Sequence, residues 1–167
     1  MLIIDGDYPM AHGGERLERD LTLPIDQVRA VAPDPGKPES WPDDGTMATL
    51  PEMRRGSVAA ALVKISRCIQ RPGHPHGEVK TDVHSYASAQ AQLGYYRILD
   101  AMGEARLLKS CWEFSEHMRE WSEATDFDDL PVGMVLGMEG ADPITWPEQV
   151  HEWYEDGLRV ISLPLRV

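Results

Sequence analysis

The stretch that most constrains the fold is Pro131 to Asp142, Pro-Val-Gly-Met-Val-Leu-Gly-Met-Glu-Gly-Ala-Asp. Its apolar run, Val132 to Met138, is too continuous for a half-exposed strand. It reads as a strand buried on both faces, as in a parallel sheet. The run stops abruptly at a carboxylate, Glu139, followed by Gly140. Pro143 and Pro147 then punctuate a turn into a helical segment, Glu148 to Asp156, and Gly157 leads into a second apolar run, Leu158 to Leu163. Strand, helix, strand is a βαβ unit. Parallel α/β folds place their chemistry at the carboxyl ends of the strands, where Glu139 stands. The plainer reading is that Glu139 caps the turn or pairs with an arginine.

The rest of the chain extends this alternation. Leu2 to Ile4 is a short apolar strand ending in Asp5-Gly6-Asp7, the same grammar as Met138-Glu139-Gly140. Two such strand ends can bring carboxylates together at one end of a sheet, which suits a divalent cation or acid/base work. Asp and Gly are also ordinary turn residues. Ala11 to Glu18 reads as a loop, and Pro24 opens a short helix running to about Ala32. Ala32 to Thr46, with four prolines and two glycines, reads as an irregular loop. Leu50 to Arg55 reads as a short approach segment, and Val58 to Ile69 as a buried strand. Gln70 to Lys80 is a loop holding His74 and His76, a spacing that metals use but without a third ligand in view. His84 to Met102 is the clearest helix, capped by Ser85 or Asp82, with Tyr86, Ala89, Leu93 and Tyr96 at helical spacing. Arg106 to Leu108 is a short strand and Cys111 to Ser122 an amphipathic helix. His117 there sits among glutamates and reads as solvated. Asp126, Asp128 and Asp129 form an acidic loop.

Strands alternating with helices mean α/β with a mainly parallel sheet. A (β/α)8 barrel needs roughly 250 residues, and this chain has 167. The expectation is one partial barrel domain over residues 1–167, whose last strand leaves an open edge. The net charge of −12 argues against a nucleic-acid partner or an anionic membrane surface. No run approaches the roughly 20 apolar residues of a membrane span, and the first residues lack the pattern of a signal peptide. The two cysteines, Cys68 and Cys111, make no disulfide framework and read as small buried hydrophobes. A reducing, cytoplasmic setting fits.

Three segments carry a family likeness. They are Ile4-Asp5-Gly6 with Arg19-Asp20-Leu21-Thr22-Leu23 downstream; Thr49-Leu50-Pro51-Glu52-Met53-Arg54-Arg55-Gly56 with the strand after it; and Met138-Glu139-Gly140-Ala141-Asp142-Pro143 followed by Gly157-Leu158-Arg159-Val160. The helix around Ala89 to Arg97 adds to them. With these segments the chain resembles the N-terminal half of the membrane (renal) dipeptidase family of zinc peptidases, in its bacterial branch. The resemblance implies the N-terminal half of a (β/α)8 TIM-type barrel, with a two-zinc site at the strand carboxyl ends. It implies a hydrolase that cleaves dipeptides with a metal-bound hydroxide.

Carried over by position, Glu139 matches the family's bridging glutamate. Asp7 and Pro9 stand where the family has a His-x-Asp pair, so Asp7 is a substitute ligand and Pro9 offers none. The remaining family ligands are histidines from later strands, beyond this chain, and Pro164 interrupts the segment that would lead to them. That pattern suits a truncated product. Glu139 and Asp7 are therefore the expected metal ligands, zinc the expected cofactor and a dipeptide the expected substrate, with an incomplete site. The alternative is a non-catalytic half-barrel, an oligomer or interaction protein covering its open sheet edge with further copies.

Overall fold

In the structure, a computed structural model describing residues 1–16, 18–30, 48–71 and 79–163, the strand β4 (Val132–Glu139) lies at the centre of a five-stranded sheet. Every pairing is parallel. Along one edge of β4 runs β2 (Val58–Ser66), and β1 (Ile3–Tyr8) pairs with β2 beyond it. The other edge is shared: β3 (Ala105–Leu107) pairs with its first half and β5 (Leu158–Ser162) with its second. The N-terminal half of a (β/α)8 barrel expected from the sequence is met by this parallel sheet with helices packed against it.

One face of the sheet holds the core. Ala61, Val63 and Ile65 of β2 and Met134, Leu136 and Met138 of β4 are all buried on it. They pack with Leu93 and Tyr96 of α3 (Asp82–Ala101) and Trp153 of α5 (Gln149–Glu155). Helix α3 owes its packing to spacing: Ser85, Ala89, Gln92, Leu93, Tyr96 and Leu99 form its buried stripe. Its start is capped by Thr81, whose hydroxyl accepts from the His84 amide, and not by Ser85 or Asp82 as the sequence reading had it. Ser85 is buried instead, donating to the Arg67 carbonyl. The Gln92 amide imitates a neighbouring strand. It accepts from the Ser66 amide and donates to the Ser66 carbonyl, at the end of β2.

Other expectations need correction. Leu50–Arg55 is a helix, α2, and not an approach segment. Pro51 suits a first helical turn, Glu52 and Arg54–Arg55 complement the dipole, and Leu50, Met53 and Arg54 bury one side. Within the expected loop Ala11–Glu18, His12–Arg16 forms a π-helical turn. Cys68 and Cys111 are exposed, one past the end of β2 and one at the first position of α4 (Cys111–Glu123). His117 is buried, because α4 turns the stripe His117–Trp121 toward the sheet. The short helix α1 (Ile25–Ala30) agrees with the reading from Pro24. The proline-rich loop, His74 and His76, and Pro164 lie outside the described residues. Among the described residues no helix is long and apolar enough to cross a membrane.

Candidate metal centre

The face of the sheet opposite the core carries both candidate ligands. Its composition follows from strand parity. Lys64 of β2 stands opposite Gly137 of β4, and Ser66 stands opposite Glu139. A side chain on Gly137 would touch the Lys64 stem, so Lys64 and Glu139 share this inner face. Asp7 joins them, since its Oδ1 lies 3.3 Å from Lys64 Nζ.

Local sequence sets each position. In Asp5-Gly6-Asp7 the Asp5 carboxylate accepts from the Asp7 amide at 3.0 Å, where the register of β1 against β2 slips. The irregularity lets Asp7 reach Lys64. Tyr8 follows on the other side, its hydroxyl donating to the Ala48 carbonyl at 2.8 Å. Burial, with Asp5 nearby, pushes the Tyr8 phenol up to about 12, so Tyr8 is a neutral hydrogen-bond donor here.

Glu139 ends β4, and Gly140 follows at φ 76°, a left-handed turn that glycine takes without strain. The Gly140 amide still pairs with the Ser162 carbonyl at 2.7 Å, so the turn starts beyond the ladder. Glu139 itself is exposed, and no hydrogen bond or ion pair holds its carboxylate among the described residues. Among the described residues it neither caps the turn nor pairs with an arginine. Asp142 has the structural role that the sequence reading left unassigned. Its Oδ2 accepts from the Ile69 amide at 2.7 Å and its Oδ1 from Arg71 at 2.6 Å. Asp142 thus ties the segment leaving β4 to the one leaving β2.

The donor set does not fit a two-zinc centre. Catalytic zinc normally takes three protein ligands and keeps one position open. The inner face offers two carboxylates on strands separated by β2, and among the described residues no group of three or more His, Cys, Asp or Glu is placed to hold a metal. Asp7 is already matched by an ammonium whose side chain is only 11% exposed. Pro9 is exposed and brings no donor. Lys64 is the residue that the sequence reading missed. Its signal was present: it is the one charged residue in the apolar strand Val58–Ser66.

Beside this end of the sheet lies an apolar groove of about 440 Å³, lined by Ile144, Trp146, Pro147, Val150, Ile161 and Leu163.

No protein-family model and no curated protein matches the sequence. Solved structures do. The chain is similar to dipeptidase AC, a metallopeptidase, at 17% identity and a TM-score of 0.60, with 97% of this chain covering 42% of that one. It is likewise similar to the probable dipeptidase PvdM from Pseudomonas aeruginosa, at 13% identity and a TM-score of 0.60, with 100% of this chain covering 35% of that one. The chain thus spans about two-fifths or less of the length of these dipeptidases. At such identities the likeness is one of fold, and it agrees with the family resemblance carried by the three sequence segments. The chain has the fold of part of a metallo-dipeptidase barrel.

Proposed function

We propose that this chain is a non-catalytic relative of the metallo-dipeptidases, which keeps the packing of their barrel and serves as an assembling or interaction protein. The observation that carries the reading is the Lys64 ammonium on Asp7, on a face where the described residues supply no third metal ligand. The ammonium lies 3.3 Å from one Asp7 oxygen and competes with a dication for it, although the Asp7 side chain is 72% exposed. The test is dipeptide hydrolysis by the purified chain supplied with zinc. The expected result is no turnover above zinc in buffer. Turnover that Glu139→Ala abolishes would overturn it.

That outcome would establish the second reading, a zinc dipeptidase with Glu139 and Asp7 as ligands. One observation favours it. Glu139 sits at the carboxyl end of the central strand with an exposed carboxylate that nothing among the described residues engages. For that reading Lys64 must leave Asp7, and ligands from outside the described residues must complete the shell.

A further inference from the structure

Helix α4 covers the start of the sheet's inner face. Gly133 of β4 belongs to that face, opposite Ala60 and four residues before Gly137. A Cβ added there would lie 2.7 Å from the His117 ring and 2.8 Å from Leu108, just before the helix. The cover is lightly held. Of the thirteen residues of α4 only His117 and Trp121 are buried. The attachment runs through side chains rather than through close backbone packing. Trp121 stacks on Phe127 with ring centroids 4.9 Å apart, and its Nε1 donates to the Pro131 carbonyl at 3.1 Å. Elements held by so few buried groups are the ones that open locally.

The other anchor, His117, works only as a neutral ring. The Ala59 carbonyl can only accept, so Nε2, 2.8 Å away, carries the proton. The Arg106 guanidinium can only donate, so Nδ1, 3.3 Å from it, is bare. A proton on Nδ1 would set two donors face to face and an imidazolium beside a guanidinium. The other charges near the ring are already engaged. Arg106 of β3 donates to Glu120 at 2.5 Å. Glu113 accepts from the Lys109 amide, and Arg119 bridges Glu116 and Glu123. These side chains line one cavity of about 510 Å³ with His117. From β2 and β4 the ring meets the Ala59 carbonyl and Gly133. Burial holds the imidazole in its neutral form, with Arg106 adding to it against the Ala59 carbonyl and Glu120.

We infer that α4 is an acid-released cover, in which protonation of His117 lifts the helix from the start of the inner face while the sheet stays folded. The lifted ring lies in water and takes its proton at the ordinary value. Opening is therefore favoured below about pH 6.5, and increasingly so until the lower value of the docked ring is reached. Release uncovers the inner face at Ala60 and Gly133.

Hydrogen exchange of the intact chain, followed residue by residue and corrected for the intrinsic rate at each pH, tests it. Protection of the amides of residues 115–123 is expected to fall by up to roughly tenfold per pH unit below about 6.5. Low urea should leave that opening nearly unchanged, since a local release exposes little surface. The amides of β2 and β4 should stay better protected and respond steeply to urea. His117→Gln supplies an amide that can donate to Ala59 and accept from Arg106 without taking up a proton. It is expected to keep α4 protected and to remove the pH response. Should that variant unfold, the urea series on the native chain still decides. Protection of α4 that is flat between about pH 7 and 5 would overturn the inference. So would α4 amides that follow the sheet in urea, which would make the opening global, or a pH response that survives His117→Gln. Metal binding and peptide turnover do not enter these readouts.

Discussion

His117 joins three strands through one side chain. Its Nε2 donates to the Ala59 carbonyl of β2 at 2.8 Å, and Arg106 of β3 donates to its Nδ1 at 3.3 Å. The ring also lies against Gly133 of β4, where an added Cβ would sit 2.7 Å from Nε2 and 2.8 Å from Leu108. Gly133→Ala is therefore expected to cost about 1–3 kcal/mol in urea unfolding, as overpacking does. Adding His117→Ala should relieve part of that clash, so the two changes will not be additive; additive losses would show that the glycine answers to something else. Burial holds the His117 imidazole below its ordinary value of 6.5, with Arg106 pushing the same way against the Ala59 carbonyl and Glu120. The unfolded chain then takes up the proton first. Stability falls as pH drops through about 6.5 and continues falling to the lower folded value. Glu120, held below the usual carboxylate range chiefly by its hydrogen bond from Arg106, acts at lower pH. A His117→Gln chain should lose the upper limb of this acid dependence; an unchanged profile between pH 5 and 6.5 would contradict it. The sequence held a signal for this burial that flanking glutamates obscured: Phe114, His117 and Trp121 recur at spacings of three and four, one helical stripe.

At the scale of elements, short polar clamps hold the strands at both ends. Arg54 of α2 donates to the carbonyls of Leu130 and Glu104 and to the Glu104 carboxylate, each at 2.8 Å. It joins α2 to the segments entering β3 and β4. Arg54→Met should cost about 2–3 kcal/mol, since two carbonyls and a half-buried carboxylate lose their donor. Arg54→Lys should recover little, because an ammonium cannot reproduce the fork. Full stability in the lysine variant would show that charge alone suffices. Asp142 does the same at the opposite ends of β2 and β4. Asp142→Ala is expected to speed hydrogen exchange of the Ile69 amide roughly tenfold or more, with little change in the core of β2; unchanged exchange would contradict the clamp. The long elements were legible because periodicity marks them. β4 and α3 carry unbroken apolar patterns, and both lie within a few residues of where the sequence placed them. α2 was not, since six residues span fewer than two helical turns, and its helix depends on the tertiary partners of Arg54.

For the whole molecule, alternation of strand and helix was enough to name a partial parallel barrel. The quoted segments were enough to name the kind of enzyme whose fold it shares. The state of the candidate site was less legible. Glu139 and Asp7 were visible as strand-end carboxylates, but that Lys64 stands beside Asp7 depends on the register of β1 against β2 and on a slip within it. No local pattern encodes that register. The central claim is that this chain keeps the barrel and not its metal chemistry. It is tested most directly by elemental analysis of the zinc retained after loading and extensive desalting, with Glu139→Ala and Lys64→Met alongside. The account predicts well under one zinc per chain in the native protein, unchanged by Glu139→Ala, and increased retention only when Lys64 is removed. One or more zinc ions per native chain, lost in Glu139→Ala, would contradict it.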